Sequence, residues 1–205
     1  FNFFVSEIEP NIAPYTNELN LKLLNCPFLS EMGDQRMEIM IRNIRKQTEI
    51  FRAENIPLLS ELQQKEQHFA TIAGAMTINV DGKEITLQQA SNYLKNNNRA
   101  TRETVYLKII ERRLADNEAL DQLFDELITL RHKVALNAGF ANFRDYMFAA
   151  LGRFDYTAQD CFDFHNAIAE EIVPLADAIH RKRVAALKID TLKPWDLDAD
   201  VTGKP

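Results

Sequence analysis

The side chains that most often hold metals or act as nucleophiles are few in this sequence. They are four histidines and two cysteines: His68, His132, His165, His180, Cys26 and Cys161. No histidine is followed by glutamate, so the helical metal-binding motif His-Glu-x-x-His is absent from the sequence. Cys161 and His165 are four residues apart on one predicted helix, but a structural zinc site needs four ligands and no third is in view. The sequence therefore predicts no catalytic residue and no metal ligand in this chain.

The cysteines also indicate the cellular compartment in which the protein is expected. Cys26 and Cys161 show no pairing pattern, and Cys161 falls on an apolar helical stripe, which favours a buried thiol over a disulfide or a nucleophile. Unpaired cysteines are typical of a reducing compartment, so we expect a cytoplasmic protein. The longest apolar run, 147–151, is far shorter than the roughly 18 residues that span a membrane, and no membrane partner is expected.

The charge balance argues against nucleic acid as a partner. Lys and Arg number 24 and Asp and Glu number 30, which gives a net charge of −6. Proteins that bind phosphate backbones are usually basic along at least one face. The two short basic clusters, 112–113 and 181–183, fall late in predicted helices, where cations oppose the negative end of the helix dipole. We expect no nucleic-acid partner.

Two short strings could carry a function of their own. Residues 153–156 read Arg-Phe-Asp-Tyr and lie between two predicted helices, in the kind of loop where functional residues concentrate. One interpretation is structural: Asp155 and Thr157 satisfy the N-terminus of the next helix, and the rings of Phe154 and Tyr156 pack the turn. The other is that Arg153 or Tyr156 faces a groove and contacts a peptide backbone. Residues 194–196, Pro-Trp-Asp, hold the single tryptophan, which is expected to anchor an extended segment.

Helices must position these residues, because turn-forming residues are scarce. Six glycines and seven prolines among 205 residues are about half the usual share of roughly 12%. Apolar residues recur at spacings of three and four, which predicts a mainly α fold, a multi-helix array of six to eight helices. A long helix is predicted from about Asp34, and Asn142 is a predicted helix N-cap. Pro14 is expected to open a helix, and Gly139 is expected to end one.

The last long helix, predicted from Thr157, carries the longest apolar stripe. Its members are Cys161, Phe164, Ile168, Ile172, Leu175, Ile179 and Leu187. Side chains at this spacing share one side of a helix, so the stripe is expected to face a core. Pro174 lies inside the helix and predicts a kink there.

One small β-hairpin is predicted near 75–86. Residues 81–82, Asp-Gly, separate two short alternating runs, and a type I′ turn needs positive φ at both central residues, which Asp-Gly favours. A two-residue loop pairs Ile78 with Ile85, so the apolar partners fall on one face. Residues 86–89, Thr-Leu-Gln-Gln, then have the pattern of a capping box that starts a helix directly after the hairpin.

Four strings in this order resemble segments of one enzyme family. They are AGAMTINVDGKEITLQQA at 73–90, AGFANFRDY at 138–146, RFDY at 153–156 and PWD at 194–196. From about Asn55 to its end, the chain resembles the oligoendopeptidase F-type enzymes, which belong to the thimet-oligopeptidase-like zinc metallopeptidases of peptidase family M3.

The resemblance implies a helical fold with a deep channel that admits short peptides. It also implies one zinc, held by two histidines of a His-Glu-x-x-His helix and a later glutamate, all downstream of the segment that resembles 194–196. The chain, which opens on Phe1 rather than Met, is therefore expected to be the N-terminal part of a larger channel-containing metallopeptidase, forming part of the channel wall. By itself it should bind no zinc and cleave no peptide.

The expected organisation has three parts. Residues 1–55 form an N-terminal helical segment, 56–190 a helical region with the hairpin, and 191–205 an extended segment leading into the catalytic portion. The expected partners are short peptides and that remaining portion of the same chain, with self-association possible through an exposed apolar face. The alternative is a non-enzymatic helical module that binds peptides or another protein.

Overall fold

In a computed structural model, the structure describes residues 1–31 and 34–202. Within them the fold is mainly α-helical with one small hairpin, which confirms the predicted fold class. The α-helices are α1 (Glu9–Leu24), α2 (Gln35–Ile50), α3 (Asn55–Gly74), α4 (Leu87–Ser91), α5 (Arg99–Leu114), α6 (Asn117–Asn137), α7 (Phe143–Ala150), α8 (Ala158–Ala167) and α9 (Val173–Leu187). The strands are β1 (Thr77–Val80) and β2 (Lys83–Thr86). Shorter turns are π-helical at Phe4–Ile8 and Ile168–Ile172 and 3₁₀ at Leu29–Glu31, Asn92–Lys95 and Pro194–Asp196.

The chain divides into two compact units. Unit 1 consists of Phe1–Phe69 and Gln122–Ala158, and unit 2 consists of Ala70–Asp121 and the residues from Gln159 onward. Each unit is assembled from two stretches that are distant in the sequence. The boundaries expected after residues 55 and 190 stay predictions.

Unit 1 is held together where α3 begins and α6 ends. Asn55 is 2% exposed, and its amide donates to the carbonyl of Val134 at 2.9 Å. The side chain of Asn137 donates to the Asn55 amide oxygen at 2.8 Å, and the guanidinium of Arg52 donates to the Asn137 carbonyl at 3.1 Å. The apolar side chains buried in this unit are Val5, Leu62, Leu123, Leu127, Val134, Ala135, Ala138 and Tyr146. Polar groups that are buried here are thus paired, as burial requires.

The hairpin of unit 2 forms as predicted. Ile78 pairs with Ile85 in an antiparallel register, and Asp81 and Gly82 take positive φ values of 52° and 78°. The side chain of Thr86 and residue Gln89 form the predicted capping box at the start of α4. Local turn and cap chemistry therefore fixes this part of the fold.

The hairpin lies on the core of unit 2. Ile78 and Val80 pack in one buried cluster with Ala90 of α4 and with Val105 and Ile109 of α5. The partly buried side chains around this cluster are Ile85, Leu87 and Tyr93. A two-stranded ribbon is marginal by itself, so packing against α4 and α5 is what stabilises it.

Predicted helix termini are largely confirmed. Asp34 caps α2 by accepting from the Arg36 backbone N–H at 3.0 Å, and Asn142 caps α7 by accepting from the Asp145 N–H at 3.0 Å. Gly139, just past α6, has a φ of 87°, the left-handed conformation that ends helices.

The prediction for Pro14 is wrong. The helix begins at Glu9, directly after the π-helical turn Phe4–Ile8, and Pro14 lies inside it. Pro10 occupies the first turn instead. Pro10 directly follows the π-helical turn, where the change from π- to α-helical hydrogen bonding interrupts the regular ladder that a proline would otherwise break.

The long C-terminal helix runs without a break from α8 through the π-helical turn Ile168–Ile172 into α9, so Pro174 lies inside it as predicted, and the kink there stays a prediction. The burial of this helix departs from expectation. None of the residues of α8, this turn or α9 is buried. The burial expected for its apolar stripe is therefore not found among residues 1–31 and 34–202.

Candidate functional site

The loop after α7 is shaped by a glycine. Gly152 has a φ of 63°, and a Cβ atom placed on it would lie 2.5 Å from the side-chain oxygen of Asn43 in α2. A larger residue would therefore meet both backbone strain and a close contact. This glycine brings the loop that carries the candidates Arg153 and Tyr156 close against α2.

Arg153 and Tyr156 share one support. The Arg153 guanidinium carbon lies 5.1 Å from the centre of the Phe148 ring, and the Tyr156 ring lies 5.8 Å from the same ring in an edge-on arrangement. Both residues are exposed, Tyr156 at 45%. The structure thus brings the two candidate side chains together on one aromatic platform, with a guanidinium and a phenol as hydrogen-bond donors.

The two residues between them attach the loop to α2. The Asp155 carboxylate accepts from both terminal nitrogens of the Arg42 guanidinium at 3.2 and 3.4 Å. The same guanidinium lies over the Phe154 ring at 4.3 Å from its centre. The structure thus ties Asp155 to Arg42 of α2, and the helix-capping role of Asp155 stays a prediction. Sequence reasoning missed that partner because the two residues are 113 positions apart.

A cavity of about 560 Å³ lies in unit 1 and was not anticipated from the sequence. Its walls come from the Phe4–Ile8 turn, from α1, from the region joining α2 and α3, and from Tyr146 of α7. Its neutral polar lining residues are Thr16, Asn17, Asn20, Gln47, Asn55, Ser60, Gln63 and Tyr146. Burial raises the pKa of the Tyr146 phenol, so this hydroxyl stays protonated. Residues from four α-helices and the Phe4–Ile8 turn must meet to form the cavity, and no local pattern signals that.

A second polar centre lies in unit 2 around Asp196. This carboxylate is 0% exposed, and its two oxygens accept from the Arg99 guanidinium at 2.8 and 3.0 Å and from Arg102 at 2.8 Å. The Lys193 backbone N–H donates to it as well, at 3.0 Å. We refer to Arg99, Arg102 and Asp196 as the Asp196 clamp.

Arg102 connects the clamp to its surroundings. Only 3% exposed, it also donates to the carbonyls of Trp195 at 2.9 Å, Asn96 at 2.9 Å and Asn97 at 3.2 Å. The Trp195 ring lies 5.6 Å from that of Tyr106. The expected anchoring of this segment by tryptophan is thus accompanied by a stronger attachment through Asp196. In the sequence, the signal for this attachment through Asp196 is a pair of arginines three residues apart on one side of α5.

The pKa of Asp196 reflects this environment. Burial raises it, but the hydrogen bonds from Arg99, Arg102 and the Lys193 N–H outweigh burial and lower the pKa to about 2. The carboxylate is therefore ionised at neutral pH, as its two arginine partners require. Such saturated geometry leaves no free carboxylate oxygen for catalysis, so the clamp is a structural centre.

The described residues offer no metal centre. Among residues 1–31 and 34–202, no group of three or more His, Cys, Asp or Glu side chains is placed to hold a metal ion. Across the same residues, no helix has the length and apolar character needed to cross a bilayer.

Comparison with known families identifies a match. The sequence model of peptidase family M3 matches residues 92–201, which include the Asp196 clamp and the loop with Arg153 and Tyr156. A search of curated protein sequences finds no match.

Comparison with solved structures identifies the same fold in three longer chains. A protein assigned as oligoendopeptidase F from Bacillus anthracis strain Ames is 21% identical with a TM-score of 0.89 over 97% of this chain. A second protein assigned as oligoendopeptidase F is 24% identical with a TM-score of 0.93, and PZ peptidase A with an inhibitor is 22% identical with a TM-score of 0.93, both over 100% of this chain. The match spans only 36% of each of those chains.

Proposed function

This chain belongs to peptidase family M3, and from that premise we propose that it is the N-terminal helical region of a zinc metalloendopeptidase that hydrolyses short peptides. The observation that carries the proposal is the family match over residues 92–201. The shared fold with chains assigned as oligoendopeptidase F supports it, because those chains are nearly three times as long. The parent protein is proposed to be cytoplasmic.

The proposed role of the region is to form part of the wall of a substrate channel. A zinc ion in such an enzyme supplies a nucleophilic water and polarises the peptide carbonyl. The described residues of this chain do not fit that metal, because no cluster of potential ligands is present among them. We therefore propose that the zinc ligands and catalytic residues belong to the remaining portion of the parent protein, and we assign no chemical step to this chain.

Within the wall, the proposed peptide contacts are Arg153 and Tyr156. A guanidinium and a phenol can donate hydrogen bonds to peptide carbonyls or to a C-terminal carboxylate. Their shared support on Phe148 restricts both side chains, which lowers the entropy lost when a peptide binds.

Zinc content and peptide cleavage test the proposed function. The 205-residue chain and the longer polypeptide encoded past residue 205 would be purified and incubated with zinc and a short fluorogenic peptide. We expect bound zinc and chelator-sensitive cleavage in the longer polypeptide alone. Chelator-sensitive cleavage by the rigorously purified 205-residue chain would overturn the proposal, as would a longer polypeptide that binds no zinc.

The peptide contacts have their own test in the longer polypeptide. Arg153→Ala and Tyr156→Phe should each raise KM several-fold with little change in kcat, because a contact equally strong in ground and transition states affects binding alone. Arg113→Ala, at an exposed position of α5, is the matched control and should change neither constant. Unchanged KM in both variants would remove these residues from the proposed channel.

The alternative, a helical module that binds peptides without chemistry, is favoured by one observation. The cavity of unit 1 has a largely apolar lining that also carries several side-chain amides and the charged Glu9 and Arg52, a combination that suits a short peptide segment. If the longer polypeptide is inactive but short peptides shift the NMR resonances of Asn17 and Gln63, this alternative replaces the enzyme.

A further inference from the structure

The run from α8 to α9 buries fewer side chains than α5, the other long helix of unit 2. No residue of α8, of the Ile168–Ile172 turn or of α9 is buried. Helix α5, of sixteen residues, buries Arg102, Val105 and Ile109. A helix in water gains most of its stability by packing an apolar side, and this run has such a side without a partner.

Four large apolar side chains define that side, which we call the α8–α9 face. They are Phe164, Ile172, Leu175 and Ile179, with exposures of 64%, 54%, 58% and 53%. Their spacing keeps them on one side of the run, because residues three or four apart are neighbours on a helix. Asp177 and Arg181, each two residues after a member of the face, project to the other side.

The position of this face in the family match limits what can cover it. The match to peptidase family M3 runs through the whole of α9 and on to residue 201. The solved relatives keep the fold of this chain within polypeptides of which it forms 36%. Nearly two thirds of each of those polypeptides is thus joined covalently to this fold.

We infer that the α8–α9 face is the surface on which the remaining, catalytic portion of the parent chain packs. This inference rests on the proposed function and specifies where the two portions of the parent meet. The occupant must present an apolar surface, because the four residues of the face carry no charge. A portion of the same chain is favoured over a second copy because covalent linkage gives it a high effective concentration.

Photochemical carbene labelling, read by mass spectrometry, tests the inference. Label would be counted at Phe164, Leu175 and Ile179 in the 205-residue chain and in the longer polypeptide. We expect these side chains to be labelled in the 205-residue chain and several-fold less in the longer one. Leu107 of α5, which is 52% exposed and lies outside the face, is the matched control and should label equally in both.

Each outcome decides the inference. Equal labelling of the face in both polypeptides overturns it. Protection in the longer polypeptide that appears only as its concentration rises also overturns it, because the occupant is then a second copy. Peptidase activity of the same longer sample reports on the proposed function separately. If the longer polypeptide is active but the α8–α9 face is not protected, only the inference is overturned. If it is inactive but the face is protected, the inference is supported and the proposed function is overturned.

Discussion

The Asp196 clamp and the α8–α9 face lie in the same unit but differ in how far their side chains are buried and paired within the chain. The clamp buries a carboxylate and the nearly inaccessible Arg102, and every carboxylate oxygen has donors within the chain. The face leaves Phe164 and Leu175 more than half exposed. One region is complete within these residues, whereas the other has an apolar side that nothing described here covers.

This difference shows which parts of the unit are stable without a partner outside the chain. Buried charges are stable only when their partners are present, so the clamp must be assembled whenever unit 2 is folded. Exposed apolar side chains impose no such condition. They lower the solubility of the chain but have little effect on its free energy of unfolding. We therefore expect substitutions in the clamp to affect stability strongly and substitutions in the face to affect association.

The largest effect is expected from Asp196→Ala. It leaves Arg102 buried without its charge partner, and removing one partner of a buried pair costs about 3–5 kcal/mol in the free energy of unfolding. Urea unfolding measures the loss. The control is Asp200→Ala on the same segment, an exposed carboxylate whose loss should cost well under half as much. Equal effects of the two substitutions would mean that the clamp is not a distinct stabilising centre.

A matched pair of isoleucines compares the core with the face. Ile109→Ala removes a side chain that is 6% exposed and should cost about 2–5 kcal/mol, because it leaves a cavity. Ile179→Ala removes one that is 53% exposed and should change the free energy of unfolding by no more than about 0.5 kcal/mol. Thermal or urea unfolding of the 205-residue chain distinguishes the two. A loss at Ile179 as large as that at Ile109 would show that the face already packs within this chain.

Acid should weaken the clamp in a defined range. The pKa of Asp196 is about 2 in the folded chain against an ordinary value of 3.8, so its contribution is complete above about pH 4 and is lost as pH falls towards 2. The free-energy difference between the wild type and Asp196→Asn should therefore shrink from pH 4 to pH 2. A difference that stays constant over this range would rule out an ionised, clamped carboxylate.

The smallest effect is expected in the hairpin. Like the Asp196 clamp, the hairpin is packed within this chain. Gly82→Ala forces a side chain into a φ of 78° and should cost about 1 kcal/mol. Gly74→Ala, at the end of α3 with no atom within 4 Å of an added Cβ, should be neutral or slightly stabilising. Thermal unfolding ranks the two variants, and the reverse ranking would contradict the type I′ turn.

Local chemistry made much of this fold predictable. The Asp-Gly turn, the capping box of Thr86 and the caps Asp34 and Asn142 each depend on a few adjacent residues, and all four are present. Pro14 was harder to interpret, because Pro10 competes for the same first-turn position.

The sites were less predictable because they join distant segments. Arg42 meets Asp155 across 113 residues, and Arg102 meets Asp196 across 94. Periodicity predicts an inward apolar stripe on α8 and α9, but none of its members is buried among the described residues, because periodicity does not show whether a packing partner lies within them. The resemblance of four short strings to one family was the signal that indicated a larger protein.

Hydrogen–deuterium exchange tests the central contrast most directly. In the 205-residue chain, the backbone amides of α5, which carries Arg99 and Arg102, should exchange slowly, and those of α8 and α9 should exchange much faster. In the longer polypeptide the α8 and α9 amides should slow markedly while those of α5 change little. Amides of α8 and α9 that are as protected as those of α5 in the 205-residue chain would contradict the account.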